Sequence, residues 1–418
     1  MLLRSSLLAL SLAATIGAFP APAQTNLHPK QAAEEAAKVL LRPICQDEAA
    51  RRQLVDGVIK KGRDYEKKTA KWDLDSTCEQ IDLPITPVHD TADEATHTDW
   101  VLDARWSSDG KLIVTASGDQ TVRIWDAATG RTIRTIDPGK EAQNQGAELI
   151  PFARNVARVR AARFLGDGSR IVVSADRHPV RVFDVSSGEP VAEAPYPSMP
   201  GATLAPKTEV TAGGLILMHD LGGPLIVHDI ATGKPRYGIP GVPREYFTFS
   251  VSESADLLAV AQRGAGRSVD LQVRKLTDGS RLWGINLTGG ASADSATFSR
   301  DGKQLAVVVD GLVHVIDTDT KKTRTSFVAY PAFGCCEVAF SADGSKLITG
   351  RRHAELWDIS TGKRLRHFGP FTDGVHSLHV SPDGRYLATS HLGSDGRIWE
   401  IETGRFLRRL GKNVYPPG

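Results

Sequence analysis

From residue 97 onward, short runs of alternating apolar and polar residues follow one another, separated by clusters of Gly, Asp, Ser and Thr. Alternation with a period of two predicts strands, and the residues between the runs predict tight turns. One unit recurs: an apolar strand, an Asp-Gly turn, a second strand, a third ending in Asp, an x-x-Thr-Gly turn and a fourth strand. The third strands end at Trp125-Asp126, Phe183-Asp184, His228-Asp229, Arg274-Lys275, Ile316-Asp317, Trp357-Asp358 and Trp399-Glu400. The turns keep a second register. Ser107-Ser108-Asp109-Gly110, Leu165-Gly166-Asp167-Gly168, Ser299-Arg300-Asp301-Gly302, Ser341-Ala342-Asp343-Gly344 and Ser381-Pro382-Asp383-Gly384 each divide two apolar runs. Glycine there accepts positive φ, and the Asp side chain bonds the turn backbone.

Seven units in one phase predict an all-β, seven-bladed β-propeller of four-stranded antiparallel blades. The third-strand endings recur every 41 to 46 residues after a first interval of 58, which holds an insertion around Pro138 to Pro151; one blade needs roughly 40 to 45. Stacking such sheets around an axis buries both faces of each and leaves only short outer edges. Arg405 to Leu410 supply a fourth strand for the last unit, so the ring is expected to close without borrowing one; the alternative is an outer strand added by residues 80 to 90.

At the first unit, His97-Thr98-Asp99-Trp100 through Trp125-Asp126, the chain resembles the WD-repeat family of propellers. His97, Asp119, Trp125 and a strand hydroxyl, Thr115 or Ser117, resemble that family's structural hydrogen-bonded tetrad, which holds a blade together and does no chemistry. The likeness covers residues 97 to 412 unevenly. Units three and four lack the Asp-Gly turn, unit five has Ile316 for the tryptophan, and unit seven ends in Glu400. Most tetrads are therefore expected to be incomplete, with those blades held by apolar packing. The resemblance implies a non-enzymatic platform that binds proteins or peptides through loops at one face.

The N-terminal quarter reads differently. Residues 1–23 place Arg4 before an apolar run, Leu7 to Ala14, and end in Ala21-Pro22-Ala23. This is the pattern of a cleaved export signal, and the run is shorter than the roughly 20 residues a spanning helix needs. Residues 24–81 are expected to be a helical segment: Gln31 to Lys71 carry Val39, Leu40, Leu54, Val55, Val58, Ile59 and Tyr65 at helical intervals, with Pro43 ending a first helix near Leu41. Residues 82–96 read as an extended linker and 97–418 as the propeller. Export gives the four cysteines a meaning, because an oxidising compartment lets thiols pair. Cys45 and Cys78 are expected to form a disulfide worth about 3 to 4 kcal/mol. Cys335 and Cys336 are adjacent and leave three states open: a vicinal disulfide, two free thiols or a soft-metal site.

Composition narrows the function classes. The chain is 41% hydrophobic and 24% charged, and its net charge is only +2, which selects neither nucleic acid nor an anionic membrane as partner. No Gly-x-Ser-x-Gly elbow, phosphate-binding glycine loop, zinc-protease pair or calcium loop occurs. No catalytic residue, cofactor or metal is therefore assigned. Arg105 and Arg163 match in units one and two, Asp103 and Glu337 in units one and six, and His376 and His379 flank the first strand of unit seven. These groups have two readings, a channel that holds a small anion or metal, or buried pairs or water-linked groups. The candidate interaction face is Trp100, Arg158, Tyr246, Phe247, Phe333, Cys335, Cys336 and His376, all near the starts of first strands. The expectation is an exported, non-enzymatic scaffold with a protein or peptide partner in the cell envelope. The alternative is a periplasmic propeller enzyme or cofactor or metal carrier that uses the central channel.

Overall fold

A computed structural model describes residues 97–138, 158–175, 180–194, 207–219, 223–241, 248–290, 292–329, 337–351, 353–369, 374–391 and 395–410. The signal, helical segment, linker and Cys45–Cys78 pair expected in residues 1–96 lie outside them, as do Tyr246, Phe247, Phe333, Cys335 and Cys336. Among the described residues no helix is long and apolar enough to cross a membrane.

Among the described residues, twenty-eight strands form seven four-stranded sheets. Blade 1 is β1 (Val101–Trp106), β2 (Leu112–Ser117), β3 (Val122–Asp126) and β4 (Thr132–Ile136); blade 2 is β5 (Val159–Leu165), β6 (Arg170–Ala175), β7 (Val180–Asp184) and β8 (Pro190–Ala194). Blade 3 is β9 (Lys207–Val210), β10 (Leu215–His219), β11 (Leu225–Asp229) and β12 (Pro235–Ile239); blade 4 is β13 (Thr248–Ser252), β14 (Leu257–Arg263), β15 (Ser268–Lys275) and β16 (Arg281–Thr288). Blade 5 is β17 (Ala293–Phe298), β18 (Gln304–Val309), β19 (Leu312–Asp317) and β20 (Lys322–Val328). Blade 6 is β21 (Glu337–Phe340), β22 (Lys346–Gly350), β23 (Ala354–Asp358) and β24 (Arg364–Phe368), and blade 7 is β25 (Val375–Val380), β26 (Tyr386–His391), β27 (Gly396–Glu400) and β28 (Phe406–Leu410). Every sheet is antiparallel and built from consecutive strands, the last included, so blade 7 is complete from its own sequence.

First strands touch first strands: β13 meets β17, β17 meets β21, β21 meets β25, β25 meets β1 and β1 meets β5. They are the innermost strands and line the axis. Second strands lie between neighbouring blades on both faces, which explains why Leu-Ile-Val-Thr-Ala-Ser in β2 and Gln-Leu-Ala-Val-Val-Val in β18 are almost wholly buried without alternation. Outer strands keep one face in water, and β4 alternates accordingly. The apolar core is thus a series of layers between sheets. Ile113, Trp125 and Ala127 of blade 1 pack with Ala388, Ile398 and Leu410 of blade 7, closing the ring with one such layer.

Turn chemistry fixes the hairpins. Ser107, Ser299, Ser341 and Ser381 each donate from Oγ to the Asp two residues on, at 2.5 to 2.7 Å. Each also accepts the backbone N–H five residues on. Blade 3 makes the equivalent turn with other residues: Thr211 Oγ1 accepts the Leu215 N–H and Gly214 supplies φ +82.

The turns between third and fourth strands also join blades. Arg134 of β4 donates to the carbonyls of Val185, Ser186 and Ser187 in blade 2, and Arg366 of β24 donates to Thr403 O in blade 7. Tyr237 of β12 donates its hydroxyl to Leu276 O in blade 4. The glycine of each such turn is required twice over. At Gly404, φ is +71 and an added Cβ would meet Arg366 Cδ at 2.8 Å.

Candidate functional site

In blade 1 the polar chain runs through the sheet. Asp119 accepts from His97 Nδ1 at 2.9 Å, which leaves Nε2 of the neutral ring to accept from Thr115 Oγ1 at 2.7 Å. Trp125 Nε1 donates to the same hydroxyl at 2.8 Å. Burial pushes His97 below its ordinary range despite the bond it donates to Asp119. Burial opposes ionisation of Asp119 as well, but donors from His97, Thr121 and the Thr98 backbone hold its carboxyl well below the usual range. Ser117, the other strand hydroxyl, instead donates to Asp99 O. The Trp–Thr bond recurs in blade 6 (Trp357 to Thr349, 2.9 Å) and blade 7 (Trp399 to Thr389, 3.0 Å). In blade 7, buried His391 reaches Thr389 Oγ1 from within β26, not from the loop before the first strand.

Of the candidate face, the described members are Trp100, Arg158 and His376. Trp100 precedes β1 on backbone fixed by bonds to Asp99 and Gly118, and the residue is 43% exposed. The Arg158 guanidinium, just before β5, stands 5.2 Å from that ring's centroid. His376 is exposed but lies inside β25, and His379 lies there too. The expectation that these histidines flank the strand is corrected: β25 begins at Val375, whose pairing with His391 precedes a bulge before Ser377.

The inner strands of blades 7, 1, 2 and 3 bring together a second set. Buried Asp103 of β1 accepts from Arg105 Nε at 3.2 Å and from Arg163 Nη1 of β5. Glu209 of β9 lies 3.5 Å from both guanidiniums. Arg105 Nη1 donates to His379 Nδ1 at 2.6 Å, and since arginine has no acceptor, the imidazole proton sits on Nε2. Burial, then the charges of Arg105 and Arg163, hold His379 well below its ordinary range, so it is neutral at pH 7. Glu337 also faces these cations. Asp103, Arg105 and Arg163 therefore form cross-blade pairs. Glu209 was missed in the sequence. It occupies in β9 the place of Arg105 in β1, a register visible only once Thr211 is seen to take the role of Ser107.

Beyond this set, the inner strands end in a cavity of about 460 Å³ at the side of the Asp-Gly turns. Blades 1, 5, 6 and 7 line it.

Asp294 of β17 is pushed upward, to about 6, by burial and then by the charge of Asp310. A folded-state value above the unfolded one means that the folded chain binds the extra proton between about pH 4 and 6. The stability this contributes is present below that window and lost as pH rises through it. Asp294→Asn is expected to raise the melting temperature at pH 7 and flatten its pH dependence between pH 4 and 6. The gain is about 1 kcal/mol, after discounting the shift for the residue's partial exposure. A thermal melt series across that range checks it.

Comparison with known proteins places the geometry. Residues 93–126 and 362–399 match the WD domain, G-beta repeat. The chain carries WD40 repeats. The first match holds His97, Thr115, Asp119 and Trp125; the second runs from the outer strand of blade 6 to Trp399 of blade 7, so the sequence repeat straddles two blades. A WD repeat-containing protein of Synechocystis, itself uncharacterised, is 30% identical over 135 residues, 31% of this chain. The small ribosomal subunit protein RACK1 of Caenorhabditis elegans is 26% identical over 122 residues (29% of this chain), and apoptotic protease-activating factor 1 of Danio rerio 26% over 116 (27%). The matched stretches span 38%, 37% and 9% of those relatives.

Proposed function

We propose that this WD-repeat propeller is an exported, non-enzymatic scaffold that docks a protein partner of the cell envelope on the face where the first strands begin. WD propellers typically mediate protein interactions, and loops on a rigid frame vary at little energetic cost. The observation that carries the reading is the Trp100–Arg158 pair: an exposed indole under a guanidinium, joining two blades on fixed backbone. Tryptophan and arginine are the residues most enriched at interaction hot spots. Export rests on residues 1–23, and with it the disulfide of Cys45 and Cys78.

The test pairs wild type with Trp100→Ala in affinity capture from a periplasmic extract. The expected result is a partner held by wild type and weakened about tenfold or more by the variant, a loss above 1.4 kcal/mol, at an unchanged melting temperature. A partner held equally by both moves the site elsewhere. Stoichiometric metal or a chromophore in the purified protein supports instead a cofactor-carrying propeller.

A further inference from the structure

The geometry points to the cavity at the turn side of the channel as a binding site for a compact organic polycarboxylate. It lies at the opposite ends of the inner strands from the Trp100 face and stands independently of the docking reading. Its volume of about 460 Å³ falls within the ~300 to 1,000 Å³ range of small-molecule sites and is too large for a single inorganic ion.

The ionised side chains of the lining are cations, and the carboxylates of the adjoining turns, Asp109, Asp343 and Asp383, are each engaged by a lining serine. Arg105 and Arg300 are its only ionised side chains, and no carboxylate contributes to it among the described residues. Arg300, in the exposed turn of blade 5, reaches past blade 6 and donates through Nη1 to Pro382 O of blade 7 at 2.6 Å. That bond stretches the side chain along the mouth and leaves its other guanidinium donors for an anion. His379, which also lines the cavity, adds a neutral donor. With Nδ1 taken by Arg105, its Nε2–H has no acceptor in hydrogen-bonding range among the described residues, Asp103 Oδ1 standing 3.9 Å away. Ser108 and Thr297 add hydroxyls, and Trp106 and Phe340 add apolar edges for a carbon skeleton.

Polarity along the channel sets the depth of binding. The carboxylates of Asp103 and Glu209 are occupied by Arg105 and Arg163. Glu337 sits at the start of β21, whereas the lining residues Ala339 and Phe340 are at its end. An anion is therefore repelled further in, which holds it at the mouth against the donors of Arg300 and His379.

Calorimetry on the full chain with citrate tests this, with succinate and inorganic phosphate as size controls. The expected result is citrate binding that weakens with added salt, is reduced about tenfold or more by Arg300→Glu, and changes less than about threefold in Arg300→Lys. Ser108→Glu, in the facing turn of blade 1, places a carboxylate at the mouth without touching Arg300 and is expected to weaken citrate as strongly. Both substituted positions are exposed, so circular dichroism and melting should match wild type. The proposal is overturned by no citrate binding at millimolar concentration, or by equal affinity of wild type, Arg300→Glu and Ser108→Glu.

Discussion

Trp125→Ala is expected to lower the unfolding free energy by about 3 to 5 kcal/mol, the usual loss for truncating a buried tryptophan. The side chain is 2% exposed and belongs to the layer through which blade 1 meets blade 7. Truncation opens a void at the ring closure, in the apolar layer that packs the two blades together. It also leaves Thr115 Oγ1, which bridges Trp125 and His97, without its indole donor. Trp125→Phe separates the two effects. It keeps most of the ring volume and loses the N–H, so its cost should be about 1 kcal/mol. Urea midpoints for the three proteins decide the matter. A Trp125→Ala loss below that of Trp125→Phe would mean that the layer between blades 7 and 1 does not hold the ring shut.

What was legible in the sequence was local. The Ser-x-Asp-Gly hairpins announce themselves because serine, aspartate and glycine satisfy one another within six residues, as at Ser107, Asp109 and Gly110. Five Asp-Gly turns, in phase with seven third-strand endings and with apolar runs between, are enough to count blades. Blade 3 hides its turn in Thr211 to Gly214 because a threonine and two glycines perform the same bonding without the aspartate. The blade clasps were invisible for another reason. Arg134 and Ser186 are 52 positions apart, and nothing near either residue signals that β4 will lie beside the next blade's turn. His391 escaped notice because it approaches Thr389 from two residues away in the same strand, where the family pattern places a histidine in the preceding loop. The inner-strand charges were legible as residue types at matching positions. Their partners were not, since Asp103 meets Arg163 across a blade boundary while the sequence offers Arg105 as the nearer choice.

That boundary carries the second large effect, a loss of about 3 to 5 kcal/mol for Asp103→Leu. Asp103 is 4% exposed and accepts from two guanidiniums, one of them the buried Arg163. Removing the acid leaves Arg163 with Glu209, 3.5 Å away and half-buried, and the more distant charge of Glu337, so a cation stays in a poorly solvated site without its direct buried partner. Removing both charges is a different perturbation. In Asp103→Leu/Arg163→Leu the remaining Arg105 still has Glu209 and His379, and no buried cation is stranded. The double variant is therefore expected to recover most of the loss, giving a coupling energy of about 2 kcal/mol or more in a double-mutant cycle. Equilibrium urea unfolding of wild type, both single variants and the double measures it. Additive losses would show that the two charges act separately and that packing of β1 on β5, not ion pairing, joins blades 1 and 2 at the axis.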